Sequence, residues 1–213
     1  MSLLHTLDLT LFRHINGLWT HPLADHFFSF ISNFGLLKLP LAAFVIGLLL
    51  WGGYRERLLL VLLALCLLIG DAGFDWAIKI SANRPRPFQA LENVRHVRPE
   101  GWGYRVEMTS YEPWKTGHSM PSGHTCNNVA LAFLLTRLYG RRAAPWAWLW
   151  AALMAYSRIY TGDHYPSDIL VSVLLATAYT AGICCAADKL WQKWGGRLAP
   201  GLYARHSTLF PCT

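Results

Sequence analysis

With 213 residues, 54% of them hydrophobic and only 15% charged, the chain carries more apolar sequence than one soluble core requires. Its ten tryptophans gather near the edges of apolar runs, the pattern of a polytopic membrane protein in a single domain, 1–213. The formal charge of +7 therefore reads as a basic flank facing anionic lipid or an anionic substrate, and not as a nucleic-acid surface.

Residues 1–34 alternate apolar and polar positions and include Asp8, Arg13, Asp25, His5, His14 and His21, so no uninterrupted membrane span fits there. The pattern predicts an amphipathic helix lying in the interface. It lacks the basic start, apolar middle and small-residue cleavage site of a secretory signal, and is expected to be retained. A first span is predicted over 37–51, slightly short, with Lys38 able to snorkel. The second, over 58–79, opens almost purely aliphatic and acquires Asp71 and Asp75 near its end, where Asp75 and Lys79 can pair at i,i+4 spacing.

Arg84-Pro85-Arg86-Pro87 ends that helix, because each proline disfavours the α conformation of the residue before it. The stretch 88–120 is too long for an ordinary connection and is expected to be a partly ordered lid on the bilayer surface, with Trp102, Tyr104, Tyr111 and Trp114 at headgroup level. Further spans are predicted over 121–139, 143–160 and 166–190, followed by a basic tail over 191–213. The fold class is thus an all-α membrane helical bundle, with about five transmembrane helices and one interfacial helix. Cys66, Cys126, Cys184 and Cys185 lie in or beside apolar helices and read as small hydrophobes, with Cys212 alone in the tail. There is no CxxC pair or HExxH helix to suggest a metal site, and no GxxxG pair to mark a dimer face, so the oligomeric state stays open.

Alternation of the spans brings three polar clusters to one membrane face: Lys79 with Arg84 and Arg86, Ser122 with His124, and Arg158 with His164 and Asp168. Ionisable residues at such depth are costly and point to function. Converging cations suit a dianion such as phosphate, and a helix starting near Pro121-Ser122-Gly123 adds free amides and a positive dipole end. If Pro166 opens a helix, Asp168 can take the proton on one His164 nitrogen and leave the other as nucleophile or base; an interfacial His capped by Asp is the plainer alternative. Arg84 could be a ligand or a supporting charge, His118 a loop residue, and Asp71 an interhelical hydrogen-bonding group.

These residues resemble the three motifs of the type 2 phosphatidic acid phosphatase (PAP2) superfamily: Lys79, six residues, then Arg86-Pro87; Pro121-Ser122-Gly123-His124; and Ser157-Arg158, five residues, His164, three residues, Asp168. The resemblance implies that His164 attacks phosphorus, Asp168 supports it and His124 protonates the leaving oxygen. It further implies that Lys79, Arg86, Arg158, Ser122 and the Gly123 amide hold the phosphate, with no metal or other cofactor. Asp163, beside His164, departs from the usual pattern and could tune its basicity.

The expected function is a lipid phosphatase acting on a phosphate or pyrophosphate headgroup in the bilayer, undecaprenyl pyrophosphate first. Lipid A 1-phosphate, phosphatidylglycerol phosphate and transfer to a lipid acceptor are the alternatives; a nonenzymatic lipid-binding scaffold is weighed against by the complete histidine set. Short basic segments at Arg55, Arg57, Arg137, Arg141 and Arg142, with Lys189, Lys193, Arg197 and Arg205 beyond, lie on the face away from the site. That asymmetry places the site on the periplasmic or external face of a bacterial inner membrane and the tail in the cytoplasm.

Overall fold

Proline, glycine and polar capping residues divide the apolar sequence into ten α-helices and one β-hairpin among the described residues, which in this computed structural model are 3–111 and 117–210, with side chains at all of them except 71 and 72. Helix α1 (Leu3–Arg13) passes through a π-helical turn (His14–Leu18), and α2 (Pro22–Ile31) starts on a proline with the His21 ring accepting from the Leu23 amide at 3.2 Å. One interfacial helix was expected here; Pro22, which cannot continue a helix from the preceding turn, makes two.

The polar positions of this segment face the rest of the protein. Leu3, Leu4, Leu7 and Leu11 are exposed, while Asp8, Phe12, Ile15 and Asn16 are buried against the rest of the protein. Asn16 donates to the carbonyls of Arg95 and Tyr160, both at 2.8 Å, and Asp25 accepts from the Tyr160 hydroxyl at 2.7 Å and Arg95 Nη2 at 2.9 Å. These are long-range hydrogen bonds, and the polar stripe is a docking face.

Helix α3 (Phe34–Trp51) buries no residue, as befits a helix whose whole circumference is solvated by lipid. Helix α4 (Tyr54–Cys66) continues through a π-helical stretch (Leu67–Asp75) into α5 (Trp76–Ala82), which stops where Asn83 turns left-handed at φ 39°. One turn, α6 (Pro87–Ala90), leads to the antiparallel strands β1 (Val94–Glu100) and β2 (Gly103–Thr109), with Val97 opposite Val106. The hairpin is an addition to the expected all-helical fold. Gly101, at φ 56°, supplies the positive φ of its tight turn, and Val94 and Val97 are buried in a cluster with Phe12, Ile15, Phe28 and Tyr160. Trp102 lies at its tip and is exposed, whereas Trp114 is outside the described residues.

Helices α7 (Gly123–Tyr139), α8 (Ala144–Tyr160) and α9 (Pro166–Leu198) complete the bundle, and α10 (Pro200–Arg205) folds back on the end of α9. α7 is central, packing on α4, α8 and α9. Small residues line these crossings, among them Ala130, Ala132, Ala147, Ala151 and Ala176, together with the buried thiols of Cys66, Cys126 and Cys184. Helices in lipid gain little from the hydrophobic effect and associate through such close van der Waals contact.

Among the described residues, three helical paths are long and apolar enough to cross a membrane: Phe34–Trp51, Tyr54–Ala90 and Pro166–Leu198. α7 and α8, at 17 residues each, are at the lower limit for crossing. Helix α9 runs eight residues past the predicted end at 190. At one end of the bundle the Tyr139 hydroxyl donates to Glu56 at 2.8 Å, tying the end of α7 to the start of α4. At the other end lie the three polar clusters.

Candidate active site

His164 sits in the short break between α8 and α9, and its position is set by backbone. The amides of Asp163 and His164 both donate to the Arg158 carbonyl at 3.1 Å, closing the chain tightly after α8. Gly162, at φ 85°, makes this turn possible, and a Cβ there would meet the Arg95 carbonyl oxygen at 2.8 Å. Only glycine lets the hairpin and α6 approach so closely: Val97 N donates to Thr161 O at 3.1 Å and Phe88 N to Gly162 O at 3.2 Å.

The imidazole of His164 is buried, with Nδ1 2.6 Å from the Ser119 carbonyl oxygen. A carbonyl can only accept, so Nδ1 carries a proton, and in the neutral ring the lone pair is on Nε2. Asp168, expected to take this proton itself, stands 3.8 Å from Nδ1. Its Oδ2 accepts from the Ser119 hydroxyl at 2.5 Å and the Tyr165 amide at 2.8 Å, and its Oδ1 accepts from Arg84 Nη1 at 2.6 Å. The carboxylate thus braces the loop that holds the histidine. Ser119 was missed in the sequence because a backbone carbonyl has no residue signature. Arg84, which was read two ways, is the supporting charge of Asp168, with its guanidinium 4.0 Å above the Tyr165 ring.

The cationic group forms around Asp163. Arg86 Nη1 lies 3.4 Å from Asp163 Oδ1, and Arg158 Nη1 lies 3.6 Å from Oδ2. His96 Nε2 approaches Oδ1 at 3.5 Å, and the Thr161 hydroxyl stands 2.8 Å from Oδ2. Burial pushes the Asp163 carboxyl up; His96, Arg158, His164 and Arg86 outweigh it and hold the group far below the usual carboxylate range. Arg158 is buried, with Nε on Ser157 Oγ at 3.1 Å and Nη2 donating to Ser32 Oγ at the end of α2.

His124 occupies the first turn of α7, exposed, and within electrostatic range of Arg158, Asp163, His164 and Arg86. Ser122 caps that helix: its Oγ is 3.5 Å from the Thr125 amide and 3.1 Å from Thr125 Oγ1. Those contacts are incoming, which leaves the hydroxyl proton of Ser122 to be donated elsewhere. The Gly123 amide is one of the four at a helix start without an intrahelical acceptor. Ser172, unremarked in the sequence, joins α7 to α9 by accepting from Ser122 N at 2.7 Å and donating to the Asp168 carbonyl at 2.6 Å. Lys79 reaches the bundle in the last turn of α5, in electrostatic range of Cys126, two residues past His124.

A buried histidine held through one ring nitrogen on a carbonyl, a second histidine on a helix start and two guanidinium groups about Asp163 together make an arrangement that could receive a phosphate and attack it. Residues 56–192 match the PAP2 superfamily, and the chain belongs to it: a multi-pass membrane phosphatase that hydrolyses phosphoric esters or pyrophosphates. It is 31% identical over 175 residues to the lipid A 4'-phosphatase of Porphyromonas gingivalis, covering 81% of this chain and 70% of that protein. It is 29% identical over 217 residues to the putative undecaprenyl-diphosphatase YbjG of Escherichia coli, covering 98% and 94%. The crystal structure of Aquifex aeolicus LpxE superimposes with a TM-score of 0.60 at 27% identity, over 83% of this chain and 94% of that one.

Proposed function

We propose that the chain removes a phosphate from a lipid phosphate or pyrophosphate through a phosphohistidine on His164, with undecaprenyl pyrophosphate as first substrate. The observation that carries this reading is the Nδ1 of His164 held on the Ser119 carbonyl at 2.6 Å, which directs Nε2 to the reaction, in a ring that lies within electrostatic reach of His124. Nε2 forms a bond to phosphorus as the bond from phosphorus to the leaving oxygen breaks, and His124 gives that oxygen its proton. Water then attacks the phosphohistidine, His124 takes a proton from it, and inorganic phosphate leaves. Charge on the nonbridging oxygens is met by Lys79, Arg86, Arg158, the Ser122 hydroxyl and the Gly123 amide, positioned before the reaction begins. The clamp is made of cations, so the chemistry calls for no metal ion.

The lipid assignment is supported by the alignment with YbjG along nearly the whole chain. The relative named for lipid A is as similar over a shorter stretch, which makes lipid A phosphate the second reading. A phosphate-release panel on the purified protein separates them, using undecaprenyl pyrophosphate, lipid A 1-phosphate, phosphatidylglycerol phosphate and phosphatidic acid, each with and without an acceptor lipid. Turnover that persists in chelator and falls with orthovanadate supports the mechanism; dependence on a specific metal overturns it. We further place the site on the outer face of the inner membrane, on the strength of the short basic connections at the opposite end. The hairpin and the rest of 88–120 then lie at headgroup level, where Trp102 can select among lipids.

A further inference from the structure

Asp8 lies in α1, 159 residues before Ser167 in the chain, yet its carboxylate accepts three hydrogen bonds from the catalytic end of the bundle. Oδ1 accepts from the Ser167 amide at 2.8 Å, while Oδ2 accepts from the Ser167 hydroxyl at 2.6 Å and from Arg84 Nη2 at 2.7 Å. Ser167 is the second residue of α9, and its amide has no acceptor within the helix. A capping carboxylate is therefore supplied from a different helix. The same Ser167 hydroxyl accepts from Arg84 Nη1 at 2.7 Å, so its single proton is free for Asp8. Arg84 turns its other contact to Asp168 Oδ1 at 2.6 Å.

The result is a carboxylate, guanidinium, carboxylate chain from Asp8 through Arg84 to Asp168, with both carboxylates buried. A planar guanidinium fixed at two nitrogens by two carboxylates has one orientation, and Asp168 inherits it. Release the Asp8 end, and Arg84 can rotate about its long side chain while remaining charged. The opposite face of α1 exposes Leu3, Leu4, Leu7 and Leu11, so the helix that delivers Asp8 presents its apolar side outward.

We propose that Asp8 is a positioning residue for the reaction: carried by the amphipathic helix α1, it fixes Asp168 through Arg84 and so holds the Ser119–His164 contact in its productive geometry. The proposal rests on the reading of His164 as nucleophile. Residues that orient a reactive group from one layer out commonly cost about 10- to 100-fold when lost.

The test is a double-mutant cycle with Asp8→Asn and Asp168→Asn on the full-length protein in detergent, using a short-chain phosphate ester with a good leaving group so that low rates stay readable. Asp8→Asn is expected to lower kcat about 10- to 100-fold, with KM and orthovanadate inhibition within about threefold of the unsubstituted protein. Asp8→Glu is expected to recover most of the rate. In the Asp168→Asn background, adding Asp8→Asn is expected to cost little further, because the group it orients has lost its charge. Equal costs in both backgrounds, an unchanged kcat, or parallel loss of kcat and orthovanadate affinity overturn the proposal. If Asp8→Asn does not accumulate as folded protein, Arg84→Lys, which keeps the charge and removes the fork, runs the same cycle with the same outcomes. Activity surviving in His164→Ala instead brings down the nucleophile assignment, and the cycle still reports on Asp8.

Discussion

His164 Nδ1 lies 2.6 Å from the Ser119 carbonyl oxygen and 3.8 Å from Asp168 Oδ2, so the direct partner of the imidazole is main chain and the carboxylate stands behind it. The Ser119 hydroxyl donates to that carboxylate at 2.5 Å, and one residue thereby touches both groups. Ser119→Ala keeps the carbonyl and removes the brace. It is expected to slow phosphoenzyme formation about tenfold, the effect of one well-placed hydrogen bond of roughly 1.4 kcal/mol. Asp168→Asn is expected to cost more, about 10²- to 10⁴-fold, and His164→Ala to abolish turnover. Single-turnover rates rank the three; a larger loss for Ser119→Ala than for Asp168→Asn contradicts the arrangement.

The two histidines should separate by leaving group. A general acid matters in proportion to how poorly the leaving group departs unprotonated. Phosphatidic acid expels an alkoxide, whereas undecaprenyl pyrophosphate expels a phosphorylated species that leaves far more readily. His124→Ala is expected to cost more on phosphatidic acid, and trapped phosphate label should map to His164. Equal losses on the two lipids, or label on His124, reverses the roles.

Asp163 faces Arg86 at 3.4 Å and Arg158 at 3.6 Å, and it can act either as a spacer for two like charges or as a rival to the phosphate. Its amide is held by the Arg158 carbonyl at 3.1 Å and its Oδ2 lies 2.8 Å from the Thr161 hydroxyl, so it does not swing away to make room. The spacer role follows. Asp163→Asn is expected to weaken orthovanadate inhibition about tenfold; tighter inhibition identifies the carboxylate as a rival. Its pKa is lowered on folding, so the stability it adds is complete above the ordinary carboxylate range near pH 4 and is lost as pH falls toward the folded value. The substitution is accordingly expected to lower the melting temperature at pH 7 and to matter least in strong acid.

Gly162→Ala tests the seam between the hairpin and the catalytic loop. A left-handed φ of 85° and a contact of 2.8 Å with the Arg95 carbonyl give the added methyl no low-energy position. A cost of about 1–3 kcal/mol is expected, with faster proteolysis of the hairpin and loss of activity together. An active, equally stable variant shows that the hairpin does not need this approach.

Orientation is open to direct labelling. Single cysteines at Glu100, on the hairpin, and at Arg141, in the turn before α8, are expected to react from outside intact cells and not to react, respectively. The reverse pattern turns the site to the cytoplasm and redirects the substrate search to lipids of the inner leaflet.

Much of this protein was legible along the chain, because the properties concerned are local. Apolar runs located the lipid-crossing helices, prolines located breaks and helix starts, and reversal of direction from span to span brought Arg86, His124, Arg158 and His164 to one end. None of these steps needs a distance between side chains. At residues 1–34 periodicity gave the amphipathic character but not what the polar face meets, since alternation is equally suited to an interface and to a docking face. It failed on the hairpin, whose strands are secured by Phe12, Ile15 and Tyr160 from elsewhere in the chain. The choice of Ser119 over Asp168 as the partner of His164 spans 45 residues, and the link from Asp8 to Ser167 spans 159. Hydrogen bonding discriminates over about half an ångström, and separations that fine are decided only when the helices that carry the two groups have packed.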